Sequence, residues 1–314
     1  MYVALDMMGG DYAPEQAMKG VHLYLSESAS PAFLLLIGDQ NKLTPLLSEY
    51  KIPQNLIKLV HAASVIDMHE HPTKALKEKK DSSIAIGFHL LASGKADAFI
   101  SAGNTGAMMV GALFSIKAIE GVQRPTISTI IPRENGKTGL LLDVGLNSDC
   151  KPELLNQFAM LGALYAQHIL GIDHPRTGLV NIGEEEGKGN ILVQAAFPLL
   201  KENKEIHFIG NVEGRDILLD KADVMVCDGF TGNILLKLLE SLFEITERQQ
   251  IHHEYFDRFN FENYGGTPVL GVAKPVIIGH GISHGKAFKN MIALAEKIIH
   301  TDLLGKMKKS FEEN

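Results

Sequence analysis

Lys188 stands in the turn "NIGEEEGKGN" (181–190) with three glycines and three glutamates. An apolar strand-like run precedes the turn and a helical pattern follows it. A glycine-rich turn at a helix start offers backbone amides to an anion, and a lysine there adds full positive charge. A nucleotide P-loop needs four residues between its glycines and a Ser or Thr after the lysine. Here three residues intervene and Gly189 follows Lys188, so the magnesium-binding hydroxyl is missing. The turn therefore reads as a metal-free anion loop. Its glutamates are expected to compensate the helix dipole and cap amides, with Glu185 pairing Lys188.

Five other loops follow strand candidates and mix glycine with polar residues. They are "DMMGGD" (6–11), "SAGNTGA" (101–107), "DVGLNSDCKP" (143–152), "CDGFTGN" (227–233) and "IGHGISHG" (278–285). They contribute Gly9, Gly10 and Asp11, then Asn104, Thr105 and Gly106, then Asn233 and His280. Any one of them could be an ordinary turn. Six at the carboxyl ends of parallel strands predict an anion-binding cleft. His280 reads equally as a catalytic group or as a tie for loop backbone. Asp6 and Asp11 could hold magnesium, but Asp beside Gly more commonly fixes a loop. His69 and His71, and His252 and His253, lack a third ligand at metal spacing. "GHGISHG" places its third glycine one position too late for a dinucleotide fingerprint, and no GxSxG elbow occurs. The reading carries no cofactor and no metal.

The elements that must position these loops alternate along the chain. Strands are expected at 2–5, 32–37, 96–100, 126–131, 139–142, 177–182, 206–209, 222–226 and 276–278. Helices are expected at 15–25, 83–91, 106–119, 153–170, 191–201, 232–248 and 286–309. Apolar strands separated by helices predict an α/β fold, a three-layer α/β/α arrangement on a mostly parallel sheet. The 314 residues read as one bilobed domain, with a short helical segment near 233–263 inserted as a projection or dimer element.

Composition bounds the function. Hydrophobic residues make up 45% and charged residues 21%, enough for a filled core and too apolar for disorder. A net charge of -7 argues against non-specific nucleic-acid binding. Two cysteines without a CxxC point to small buried thiols in a reducing compartment. Asp6 and Asp11 interrupt the N-terminus, so no signal peptide is expected there. No apolar run approaches the ~18 residues of a membrane span. A cytoplasmic protein is expected.

The loops, in this order, resemble the bacterial phosphate acyltransferase family of phospholipid synthesis. The resemblance is carried by "ALDMMGGDYAP", "KKDSSIAIG", "KADAFISAGNTGA", "LLDVGLNSDCKPE", "LVNIGEEEGKGN", "FIGNVEGRD", "ADVMVCDGFTGN", "NYGGTPVLGV" and "KPVIIGHG", from Ala4 to Gly281. It implies a fold like isopropylmalate dehydrogenases and phosphotransacetylases, and a homodimer. It implies transfer of a fatty acyl group from acyl carrier protein to inorganic phosphate. The acyl phosphate product feeds glycerol-3-phosphate acylation, with contact at the membrane surface to that downstream acyltransferase. In this reading Lys188, Asn233 and His280 are catalytic. Lys188 meets phosphate or the oxyanion, Asn233 and Asn104 donate neutral hydrogen bonds, and His280 steadies phosphate or protonates the leaving sulfur. The amides of Gly9–Gly10 and Thr105–Gly106 cradle oxygens.

Three departures from the family pattern stand out. Leu146 replaces the usual Ala, Ile282 replaces the usual Ser, and the segment 233–264, which in the family forms a membrane-touching hairpin, is shorter. Two alternatives follow. One is a non-catalytic sensor of acyl carrier protein or phosphate; the other is an NAD-dependent decarboxylating dehydrogenase. The second lacks a cofactor loop and clustered metal-binding aspartates. Acyl carrier protein is acidic, so a local basic face is expected, formed by Lys306, Lys308 and Lys309 or by Arg248 and Arg258.

Overall fold

A computed structural model describes residues 1–312. They divide into two compact units. The first comprises Met1–Ala118 and Phe261–Leu304, the second Ile119–Asn260 and the segment after Leu304. The first unit begins with β1 (Tyr2–Asp6), α1 (Glu15–Glu27), β2 (Phe33–Gly38), α2 (Gln40–Glu49), β3 (Ile57–His61), α3 (Pro72–Glu78), α4 (Ser83–Ala92), β4 (Ala98–Ser101) and α5 (Thr105–Gly111). The second contains β5 (Thr126–Pro132), β6 (Thr138–Leu142), α6 (Pro152–Tyr165), β7 (Arg176–Asn181), α7 (Ile191–Glu202), β8 (His207–Glu213), β9 (Val224–Val226), α8 (Gly229–Arg248) and α9 (Glu254–Asp257). The chain then adds β10 (Thr267–Leu270), β11 (Val276–Ile278) and α10 (Gly285–His300) to the first unit, and α11 (Leu303–Glu312) follows.

In the first unit the strands run β3-β2-β1-β4-β11-β10. All neighbours are parallel except β10 with β11. Val3 pairs with Leu34 on one side and Ala98 on the other. This central place explains why β1 reads as an unbroken apolar run, since both its faces are covered. α4 lies close on β4: a Cβ at Gly87 would sit 2.1 Å from the fully buried Phe99 ring. Burying such a ring stabilises by about 1.5–3 kcal/mol. In the second unit the order is β5-β6-β9-β7-β8, parallel except for β5 with β6. Gly162 lets α6 settle on β6 and β9, against Leu142 and Val224.

The mostly parallel α/β reading therefore matches, and every expected strand exists, 276–278 to the residue and the others with a shifted end. Two strands escaped it. β3 is exposed at Lys58 and His61 and only half-buried at Leu59 and Val60, so it lacks an unbroken apolar run. β10 contains Pro268 and is antiparallel, which its four residues do not advertise. Helices α2 and α3 also escaped, since α2 carries Pro45 inside it and α3 is a single short stretch opening on Pro72. The one helix expected over 286–309 is two, broken at Asp302, whose φ is 50°.

The second unit buries an ion cluster. Arg133 is fully buried, and its Nη1 donates to Asp220 Oδ1 at 2.6 Å and Asp223 Oδ1 at 2.9 Å. Arg176 donates from Nε to Asp223 Oδ2 at 2.9 Å and from Nη2 to Asp220 Oδ1 at 2.6 Å. The backbone amide of Arg176 adds a bond to Asp223 Oδ2 at 2.8 Å. These contacts tie the ends of β5, β7 and β9 together.

Candidate active site

Each unit organises its loops around a buried aspartate at a strand's carboxyl end. In the first unit this is Asp6, fully buried at the end of β1. Its Oδ2 accepts from Ser101 Oγ at 2.6 Å and its Oδ1 from the Met8 amide at 2.9 Å. Burial pushes the Asp6 carboxyl above its ordinary range, against the pull of these hydrogen bonds. Ser101 Oγ also accepts from the Gly103 amide at 2.9 Å, so Asp6 joins the loop after β1 to the loop after β4. Gly9 fits only without a side chain: a Cβ there would lie 2.6 Å from both Asp6 Oδ2 and the Gly103 nitrogen. A third loop joins through the Asp11 amide, which donates to the Gly281 carbonyl at 2.8 Å. Gly9, Gly10, Asp11 and the His280 loop are thus brought together.

His280 is half-buried, its ring 5.0 Å from that of Phe261 and tilted by 32°. Its Nδ1 receives the Ile282 amide at a long 3.5 Å, and its carbonyl accepts from the Ser283 amide at 3.0 Å. Beside it, His284 is held by Glu262 Oε1, 2.9 Å from both its amide and its Nδ1, and stacks on Tyr12 at 4.7 Å.

In the second unit Asp143, fully buried after β6, plays the same part. It accepts from the amides of Gly145 (3.1 Å), Leu146 (3.1 Å) and Asn147 (2.7 Å), and from Asn147 Nδ2 (2.7 Å). Burial raises its pKa as it does for Asp6, with the same opposition from hydrogen bonds. The start of α8 packs on this loop, where the Gly229 amide donates to the Asn147 carbonyl at 2.7 Å. Asp228 caps α8 by accepting from the Thr231 amide at 2.9 Å. Asn233 is exposed, and its Nδ2 donates to the Val144 carbonyl at 3.1 Å. Burial works against the thiolate form of both cysteines. Burial, with Asp143 nearby, pushes Cys150 up to about 11, and the buried Cys227 is also raised.

The turn carrying Lys188 is built by side-chain amides. Asn181 Nδ2 donates to the Lys188 carbonyl at 3.1 Å, and Asn211 Nδ2 to the Glu185 carbonyl at 2.9 Å. Gln194 Nε2 donates to the carbonyls of Gly187 (3.0 Å) and Gly189 (2.9 Å). Glu184 pairs with Lys221 and Glu186 with Lys201, both at 2.5 Å. Lys188 is exposed and forms no ion pair among the described residues.

Compared with known proteins, the chain matches the fatty acid synthesis protein family over residues 1–253 and 249–306. It is 42% identical over 334 residues to the phosphate acyltransferase of Halothermothrix orenii, covering 100% of this chain and 99% of that one. It is 44% identical over 326 residues to that of Aquifex aeolicus, covering 97% and 95%. The chain belongs to the phosphate acyltransferase family. Solved structures extend the likeness in fold alone. A phosphotransacetylase from Streptococcus pyogenes superposes with TM-score 0.67 at 18% identity, covering 95% of this chain and 94% of that one. A branched-chain phosphotransacylase from Enterococcus faecalis gives 0.64 at 17%, covering 96% and 99%.

Within this phosphate acyltransferase, several sequence expectations need correction. Asn104 does not offer its side chain to a ligand. It is buried and caps α5, its Oδ1 accepting from the Ala107 amide at 2.8 Å. Its Nδ2 donates to the carbonyls of Asp67 (2.8 Å) and Glu70 (3.1 Å). It is a positioning residue for the 67–70 loop. Gly106 is glycine for packing, since a Cβ would meet Pro72 Cγ at 2.4 Å; Thr105 beside it is exposed. The glutamates do not cap α7: Asn190 does, accepting from the Val193 amide at 2.9 Å. Glu185 meets Lys188 through backbone, its carbonyl accepting the Lys188 amide at 3.1 Å. The expected Glu185–Lys188 ion pair is absent.

Two trios of possible metal ligands exist among the described residues, Glu184–Glu213–Asp216 and Glu247–His252–Asp257. Neither includes Asp6 or Asp11, and Lys221 already bridges Glu184 and Asp216 at 2.5 and 2.8 Å. The sequence reading passed over Asp143, Asn147, Asn181, Asn211 and Gln194. Asp143 and Asn181 stand where strands end in glycine-bearing loops, the signal that could have found them; Asn147, Asn211 and Gln194 carry no such mark.

Gly232 provides a test of this architecture. Its missing Cβ would lie 1.8 Å from the Asp143 carbonyl oxygen. Gly232→Ala must lift α8 off the 143–147 loop. Overpacking of this kind costs about 1–3 kcal/mol. Denaturant melts should show that loss, and a midpoint unchanged from wild type would contradict the packing.

Proposed function

We propose that the chain moves a fatty acyl group from the thioester of acyl carrier protein to inorganic phosphate, releasing acyl phosphate for phospholipid synthesis. A phosphate oxygen attacks the thioester carbonyl, a C–O bond forms, and the tetrahedral oxyanion collapses with cleavage of the C–S bond. The thiolate leaves with the electron pair and takes a proton from water or a nearby acid. Thiols ionise near pKa ~8.5, so strong acid assistance is optional. Phosphate is itself anionic, so no protein nucleophile is required. The demand is for positioning and for donors to developing negative charge.

The observation that carries this reading is Lys188: exposed, without an ion pair, on a turn whose carbonyls are drawn away by Asn181, Asn211 and Gln194. It receives phosphate or the oxyanion. Asn233 supplies a neutral donor, since its Nδ2 spends one hydrogen on Val144 and has a second. His280 steadies phosphate or protonates the sulfur, and the Gly9–Gly10 and Thr105–Gly106 amides cradle oxygens.

The chain works as a homodimer in this reading, supported by the apolar stripe of α8, where Phe230, Ile234 and Leu238 are exposed. No helix among the described residues is long and apolar enough to cross a membrane. Contact at the membrane surface with the downstream glycerol-3-phosphate acyltransferase belongs to this reading through the family resemblance.

The test is incubation with acyl carrier protein thioester, with and without phosphate, assaying acyl phosphate and released carrier thiol. Phosphate-dependent acyl phosphate supports the reading. Carrier binding without turnover favours the sensor instead. Docking is expected to use Lys306, Lys308 and Lys309, so carrier affinity should fall steeply with salt. Replacing all three with glutamine should flatten that dependence, and salt-independent binding by the wild type would remove the basic-face idea.

A further inference from the structure

Two isoleucines bracket the lysine-bearing turn. Ile182, the residue after β7, is 80% exposed, and Ile191, the first of α7, is 89% exposed. Among the described residues no large apolar side chain is more exposed than these two. The turn is pinched at its neck. Asn181 accepts the Ile182 amide on Oδ1 at 2.8 Å and donates to the Lys188 carbonyl at 3.1 Å. Gly189 lies against the same side chain, where a Cβ would be 2.4 Å from Asn181 Oδ1. The start of α7 follows directly, so both isoleucines flank the closure from which Lys188 emerges. The Lys188 stem runs beside Gly183, whose added Cβ would meet Lys188 Cγ at 3.0 Å.

Single exposed apolar residues are ordinary. A pair of them beside an unpaired lysine, on a turn where Lys221 and Lys201 hold two of the three glutamates, Glu184 and Glu186, is a different surface. It complements an amphiphile, with an anionic or oxyanionic end at the lysine and a hydrocarbon chain across the isoleucines. We infer that Ile182 and Ile191 are the contact for the acyl chain of the donor and set the preference for long chains. This rests on the acyl-transfer reading above. Contact removes apolar area from water in proportion to the chain length that reaches it. An acetyl donor gains little from it and a hexadecanoyl donor much.

The experiment compares wild type with the double variant Ile182→Ser/Ile191→Ser. Binding of hexadecanoyl- and acetyl-thioesters of acyl carrier protein is measured by calorimetry without phosphate, and KM for both is measured with phosphate. The variant should bind the hexadecanoyl donor about tenfold more weakly and the acetyl donor less than about twofold more weakly. Ile182→Leu/Ile191→Leu should restore the hexadecanoyl affinity. Equal loss for both donors, or no loss, overturns the inference. So does a change in sedimentation behaviour without a chain-length effect, which would assign the isoleucines to contact between copies. A wild type that makes no acyl phosphate overturns the transfer reading alone, because the split in binding is read without turnover.

Discussion

Lys188→Ala is expected to lower the rate of acyl phosphate formation by about 100-fold or more, the usual cost of removing one donor to a developing oxyanion. The fold should be untouched. Lys188 contributes its amide and carbonyl to the turn, and both bonds survive truncation at Cβ. The carbonyls of Glu185, Gly187 and Gly189 are held by Asn211 and Gln194, and Glu184 and Glu186 by Lys221 and Lys201. Thermal melts should therefore coincide with wild type while turnover collapses. If Lys188 acts on the oxyanion, kcat and kcat/KM fall together; if it binds ground-state phosphate, the phosphate KM rises. Lys188→Arg keeps the charge but changes the point donor into a planar fork, so only partial recovery is expected. Activity of the alanine variant above about half of wild type would remove the lysine from the mechanism.

Asp223→Ala carries the largest expected stability effect. It strips one carboxylate from the fully buried Arg133 and also removes the acceptor for Arg176 Nε and its amide. Breaking a buried pair from one side costs about 3–5 kcal/mol, because the remaining charge stays desolvated. Asp220 still meets Arg133 at 2.6 Å, which places the expected loss at about 3 kcal/mol, the lower end of that range. Urea denaturation of the two proteins measures it, and a loss under about 1 kcal/mol would mean Asp220 alone suffices.

The same pair predicts a pH dependence with a definite sign. Burial favours the neutral form of Asp223, but hydrogen bonds from the Arg176 side chain and amide and from Arg133 outweigh it and hold the carboxyl at about 2, below its ordinary 3.8. A depressed carboxyl stabilises the fold above its unfolded pKa, and that contribution disappears as pH falls through the folded value. The stability difference between wild type and Asp223→Asn should be constant near neutrality and shrink between about pH 5 and about 2. Asp6 and Asp143 act oppositely. Their raised values mean a contribution complete below 3.8 and lost as pH rises through the folded pKa. A difference that grew on acidification would refute the assignment to Asp223.

The family likeness of the glycine loops and the long buried strands were legible in the amino-acid order because both leave dense local marks. β1, β2 and β6 are nearly continuous apolar runs, and such runs mean burial on both faces. The loops after β1 and β6 carry glycine close to Asp, and Gly9 in the first and Gly232 of α8, packed on the second, are glycine because backbone and carboxylate atoms fill the place of a Cβ. Which polar residues face a ligand was not legible. Asn104 and Asn233 look alike as asparagines in glycine-rich turns. Only the tertiary structure shows the first spending its whole amide on Ala107 and the 67–70 loop and the second standing exposed. The three glutamates beside Lys188 pose the same problem. Their partners Lys221 and Lys201 lie 37 and 15 residues away. Local spacing favoured Glu185 as the lysine's partner; long-range pairing took the other two and left Lys188 open to an anion. Strand and loop identity follow from short-range sterics and hydrophobic pattern. The direction of a polar side chain is decided by whichever distant donor or acceptor the fold brings within about 3 Å.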